Sequence, residues 1–389
     1  MSKDKTLSNT EACVICVEHP LNHGKRLGVL RLNSVKSLNA LTLDMIKLMQ
    51  SQLQAWKNDN NILAIWLEGA GERALCAGGN VVDVYHHVLE GANNDISIEQ
   101  YFTQEYSLDH LLHCYPKPII CWGSGIVMGG GMGLFMGADF RLVTESTKMA
   151  MPEITIGLFP DVGASYFLNK LEPAIARFIA LTACHLNAED ALELKLANHF
   201  VPQSAKTTLL EILANHPWTQ EACAKVKQQL STLFTAIGKQ PHQSSVDSNI
   251  KKHQADIQAL MVGDTNAIYQ AMCALDTRTF GKQDEWLQKA KDVFLNGSPL
   301  SAHIIVTQLE KMRDQSLENV FQSELNLIIQ MCSKADFTEG VRALLIDKDK
   351  LPKWLHRDVS AVEGKDIASF FQPLWNELEH PLASLKPAL

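Results

Sequence analysis

Up to about residue 200 the sequence alternates short apolar runs with segments whose apolar residues recur at helical spacing. A chain patterned this way buries the runs as strands and covers them with amphipathic helices, which is the α/β arrangement. ACVICVEHP (12–20) and LGVLRLN (27–33) read as two strands around a turn containing Gly24. ILAIWLEGAG (62–71), PIICWGSG (118–125) and FRLVTE (140–145) read as further strands. Between them, Met45, Ile46, Met49, Leu53 and Trp56 predict a helix capped by Thr42, and QYFTQEYSLDHLLHC predicts another near 100–114. From about 206 to 345 the period is helical, with no convincing strand. The polar stretch SSVDSNIKKHQ (244–254) is expected as a loop, and Ser298–Pro299 as the start of a helix. The expected organisation is an α/β core over 11–205, with a mainly helical region over 206–389 packing on it.

Charge and cysteine usage narrow the class. A net charge of −8 argues against a nucleic-acid surface. Nine cysteines, an odd number without framework spacing, suggest reduced thiols. The one C-x-x-C, Cys13 and Cys16, lies in a run that reads as strand. The polar start MSKDKTLSNTEA resembles no leader, and no apolar run is long enough to span a bilayer, so the cytoplasm is the expected compartment and no membrane contact is expected.

Three segments carry glycines where strands end: CAGGN (76–80), GIVMGGGMG (125–133) and MPEITIGLFPDVG (151–163). Such loops let backbone N–H groups approach a ligand, and two of them together form an oxyanion hole. Each alone is equally a tight turn. The third also places Glu153 and Asp161 in an otherwise apolar run, where ionised carboxylates are rare unless paired or functional. Taken singly, Glu153 is a cap and Asp161 a turn residue.

In combination, LNALTLDM (38–45), CAGGN, GIVMGGGMGLFMGADFRL (125–142) and MPEITIGLFPDVG resemble the crotonase (enoyl-CoA hydratase/isomerase) superfamily. SPLSAHIIVTQL (298–309) and DFTEGVRALLIDKDKLPKW (336–354) are similar to its 3-hydroxyisobutyryl-CoA hydrolase branch. The resemblance implies a crotonase-like spiral of repeated β-β-α units with a helical C-terminal region. It implies Ala77 and Gly130 as backbone oxyanion donors, Glu153 and Asp161 as catalytic, and Glu105, Gly130, Glu153 and Asp161 as substrate-binding. Of the two catalytic glutamates of the hydratases, one falls on Gly133, which has no side chain, and the other matches Glu153. Asn80 replaces an aspartate usual after the glycines.

The implied reaction is hydrolysis of a short β-hydroxyacyl-CoA thioester, expected to be 3-hydroxyisobutyryl-CoA of valine breakdown. No metal or redox cofactor is implied, because coenzyme A is part of the substrate. A homo-oligomer is left open. The alternatives are an enoyl-CoA hydratase or isomerase, or a non-catalytic acyl-CoA-binding protein. The remaining polar groups have plainer readings: Glu105, His110 and His113 as solvated helix faces, His86 and His87 as neighbours pointing apart, and Lys348, Asp349, Lys350 and Lys353 as a solvated loop or a seat for the phosphates.

Overall fold

The computed structural model describes residues 12–90, 97–218, 223–238, 247–279 and 282–387. The polar start through residue 11, and residues 244–246 of the expected loop, lie outside them.

The strands are β1 (Val14–Pro20), β2 (Arg26–Leu32), β3 (Ile62–Gly69), β4 (Ala74–Cys76), β5 (Ile119–Gly123), β6 (Ile126–Met128), β7 (Phe140–Val143), β8 (Lys148–Ala150) and β9 (His199–Phe200). They form a six-stranded sheet in the order β1-β2-β3-β5-β7-β9 and a three-stranded sheet in the order β4-β6-β8. Only β1 runs antiparallel within these two sheets. Consecutive strands go alternately to the large and the small sheet (β3 then β4, β5 then β6, β7 then β8), and helices follow each pair. These helices are α1 (Leu43–Lys57), α2 (Val81–Glu90), α3 (Ile98–His113), α4 (Gly130–Met136), α5 (Ala164–Leu168), α6 (Pro173–Thr182) and α7 (Ala188–Glu193). That is the expected spiral of β-β-α units.

The large sheet is covered on both faces, which is why its strands read as unbroken apolar runs. Leu30, Ile65, Leu67, Ile119 and Val143 face the main core. Val29, Trp66, Ile120, Trp122 and Leu142 face the other way, onto Leu209, Leu213, Trp218, Val226 and Phe234 of the segment beginning with helix Lys206–Asn215. The main core also takes in Phe294, Ile304, Phe321, Leu325 and Phe337 from the C-terminal helices. Thr42 caps α1, its hydroxyl accepting from the Met45 N–H, and Ser298 caps helix Pro299–Lys311 with Pro299 in the first turn.

Two details differ from the sequence reading. Ser248 caps a short helix, Asn249–Lys252, so that part of the polar stretch is not loop. Beyond residue 206, Arg278–Thr279 pairs with Lys282–Gln283 in a two-residue ladder too short to leave an alternating pattern.

Candidate active site

The small sheet explains why three distant glycine segments meet. Its strands run parallel, with Cys76 beside Val127 and Met128 beside Ala150. Their carboxyl ends therefore finish side by side, the usual place for a site in α/β architecture. Ala77–Gly79 follows β4, Gly129–Gly130 follows β6, and Met151–Glu153 follows β8. Gly78 at φ +116° and Gly129 at φ +50° take backbone conformations that side-chain-bearing residues rarely adopt. A Cβ at Gly78 would stand 3.4 Å from the Met128 carbonyl oxygen, so the two loops nearly touch.

α3 closes the other side. Tyr101, Phe102 and Glu105 from α3 join these loops, Asp161 and Leu344 in lining one cleft of about 190 Å³. The five residues expected to form the site, Ala77, Glu105, Gly130, Glu153 and Asp161, all line it. Glu105 is not on a solvated face; it is buried, and its Oε1 has no hydrogen-bond partner among the described residues. A Cβ at Gly130 would lie 2.5 Å from that oxygen, so a side chain there would have to push the Glu105 carboxyl aside. Glu153 opens a short 3₁₀ turn and is also buried, with its Oε2 unpartnered. Asp161 accepts a hydrogen bond from the Tyr106 hydroxyl at 2.6 Å.

The structure corrects the assignment of Ala77. Its N–H is already donated to the Leu38 carbonyl at 3.0 Å. Gly79 is the better-placed donor. Its N–H makes no hydrogen bond among the described residues and lies 3.2 Å from where a Cβ on Gly130 would stand. Gly130 is the first residue of α4, and its own N–H has no acceptor within that helix.

Burial dominates the electrostatics. It pushes the Glu153 and Glu105 carboxyls well above the usual carboxylate range, with the nearby Asp161 charge adding to each. Asp161 is raised by burial to about 6, held from going further by the Tyr106 hydroxyl. One turn along α3, Asp109 is fully buried, neither of its oxygens has a partner among the described residues, and burial raises it strongly too. Burial and the neighbouring acidic groups thus act in the same direction, each favouring the protonated form of these carboxyls.

Asp109 also explains Gly133. A Cβ at Gly133 would lie 2.6 Å from Asp109 Oδ2 and 2.8 Å from Val162 Cβ. The space a side chain would need is already filled.

Other polar groups fall away from the cleft. His110 is buried rather than solvated and meets Glu318 Oε1 at 3.3 Å. Burial pushes the His113 imidazole down to about 3. Asp349 bonds Arg342 at 2.8 Å, while Lys348, Lys350 and Lys353 stay exposed. Asn80 turns its amide to Asp83 at 2.6 Å. Among the described residues no three His, Cys, Asp or Glu side chains are grouped to hold a metal ion, and no helix is long and apolar enough to cross a membrane.

Tyr106, Asp109 and Gly79 were not singled out in the sequence. Phe102, Glu105, Tyr106 and Asp109 do share a helical period, and that spacing could have marked them as one buried face.

Known proteins resemble this chain in both sequence and fold. A model of the enoyl-CoA hydratase/isomerase family matches residues 27–371. The mitochondrial 3-hydroxyisobutyryl-CoA hydrolase of Gallus gallus is 35% identical over 356 residues, covering 90% of this chain and 87% of the relative. A solved carnitinyl-CoA dehydratase from Mycobacterium thermoresistibile superposes with a TM-score of 0.78 at 30% identity, covering 93% of this chain and 97% of the other. An enoyl-CoA hydratase from Rhodobacter sphaeroides gives 0.77 at 26% identity, covering 93% and 98%. The chain therefore belongs to the enoyl-CoA hydratase/isomerase family and, within it, to the branch of acyl-CoA thioester hydrolases named for 3-hydroxyisobutyryl-CoA.

Proposed function

We propose that the cleft hydrolyses the thioester of 3-hydroxyisobutyryl-CoA, releasing 3-hydroxyisobutyrate and coenzyme A, in valine breakdown. The observation that carries this reading is the filled space at Gly133. Hydration of a double bond divides proton delivery and water activation between two glutamates in the hydratases, and here one of the two positions has neither a side chain nor room for one. Thioester hydrolysis needs less: one carboxylate at the carbonyl and donors for the tetrahedral oxyanion.

In this reading Glu153, once ionised, acts at the carbonyl as nucleophile or as base for water. The N–H groups of Gly79 and Gly130 receive the charge that develops on the carbonyl oxygen. Asp161, held by Tyr106, orients the β-hydroxyl or the water. Glu105 contributes a second acidic group at the glycine loops. The apolar walls of Phe102 and Leu344 strengthen these interactions by excluding water.

A thiol-release assay across acyl-CoA esters tests this. The protein should liberate coenzyme A from 3-hydroxyisobutyryl-CoA and leave crotonyl-CoA essentially unhydrated. Rapid hydration of crotonyl-CoA without thiol release would identify a hydratase, and binding with neither reaction would identify a carrier.

A further inference from the structure

We propose that Glu324, which lies outside the cleft, positions Asp161 by clamping the backbone of the turn that carries it. The inference rests on the reading of Asp161 given above. Glu324 is on helix Leu317–Lys334, more than 150 residues along the chain from that turn, and is fully buried. One of its carboxylate oxygens accepts from the Gly163 N–H at 2.7 Å and the other from the Ser165 N–H at 3.0 Å.

What it holds is an uncommon conformation. Val162, between Asp161 and Gly163, has φ +53° and is almost completely buried. A β-branched residue there is a genuine outlier and persists only where its surroundings over-determine it. Gly163 follows in the same left-handed region at φ +82°. Two consecutive left-handed residues turn the chain sharply just after Asp161, and the Asp161 carbonyl accepts the Ala164 N–H at 2.8 Å to close the turn.

The same helix supports Asp161 from a second direction. Phe321, one turn before Glu324, packs on the Tyr106 ring at 5.7 Å between centroids, and Tyr106 donates to Asp161 Oδ2. It also lies against Gly163, where a Cβ would stand 3.2 Å from its ring. The charged and titratable groups around Glu324 are Asp161, Tyr106, Asp109 and Glu153. No cation is paired with it among the described residues; burial raises its carboxyl to about 8, and the two N–H donors together with the Ser165 side chain keep it from rising further.

A positioning residue acts through the group it positions, so its loss should matter only while that group is present. The test is a double-mutant cycle on the full chain with Glu324→Gln and Asp161→Asn, reading coenzyme A release, with thermal melts to establish folding. Glu324→Gln keeps the volume and one acceptor. It should lower kcat by about tenfold or more, since small misplacements of an active-site group are costly, and change KM little. On the Asp161→Asn background it should cost nothing further. If the amide does not fold, Glu324→Asp keeps the charge but falls one methylene short of both N–H groups, and the same pattern is expected. Losses that multiply, or wild-type kcat in the Glu324 variant, would overturn the proposal and leave the role of Asp161 standing. Wild-type turnover in Asp161→Asn alone would remove that role and this inference with it.

Discussion

Glu153 shows how much a single carboxyl depends on its surroundings. Its pattern in the sequence is that of an ordinary cap, yet it is buried with one oxygen unpartnered and its proton affinity is raised. The sign of the pH dependence follows. In the proposed mechanism the base or nucleophile is the ionised form, and burial moves its ionisation above the usual carboxylate range, so turnover should keep rising with pH beyond that range. Glu153→Gln keeps the shape and removes the charge. Turnover should fall by roughly 10²–10⁴-fold, the size of a lost acid–base function, with KM little changed and the rising limb abolished. Steady-state thiol release across pH measures all three. A variant that keeps both its rate and its pH limb would exclude Glu153 from the chemical step.

Among the elements, α3 and α4 fix what chemistry the site can host. α4 begins on the glycine loop and brings Gly133 against α3, where Asp109 sits. A methyl group at position 133 has to displace a carboxyl and a valine. Gly133→Ala should therefore lower stability by about 1–3 kcal/mol, the usual cost of overpacking a core. Combining it with Asp109→Ala should recover part of that loss, because the methyl then enters space the carboxyl has left. Denaturant midpoints of the two single variants and the double variant report the coupling. Strictly additive losses would show that the contact between α3 and α4 yields in some other way. The same packing implies that no single substitution at 133 converts this cleft into a hydratase.

For the molecule as a whole, the C-terminal helices act both as a wall of the core and as support for the site. Leu209, Leu213, Trp218, Val226 and Phe234 cover one face of the large sheet, and Glu324 and Phe321 reach the Asp161 turn. A chain ending at residue 205 should expose Trp66, Ile120, Trp122 and Leu142 and aggregate or bind an apolar dye rather than melt cooperatively, as size-exclusion chromatography and calorimetry would show. A soluble, cooperatively folding 12–205 fragment would mean that the core needs no such cover. The sequence by itself determined the α/β alternation and the caps at Thr42 and Ser298, because period and capping are local properties, whereas the glycine loops, Glu153 and Asp161 were tied into one candidate site only by the family resemblance. Tertiary structure alone decided that Gly79 rather than Ala77 has the free N–H, since that depends on which side of the loop bonds Leu38 and Leu41. It also decided that Glu105 and His110 are buried, although their helix reads as partly polar. And it brought Glu324 to the Asp161 turn, for burial and long-range hydrogen bonding are set by what packs against a residue, and nothing in the neighbouring sequence records that.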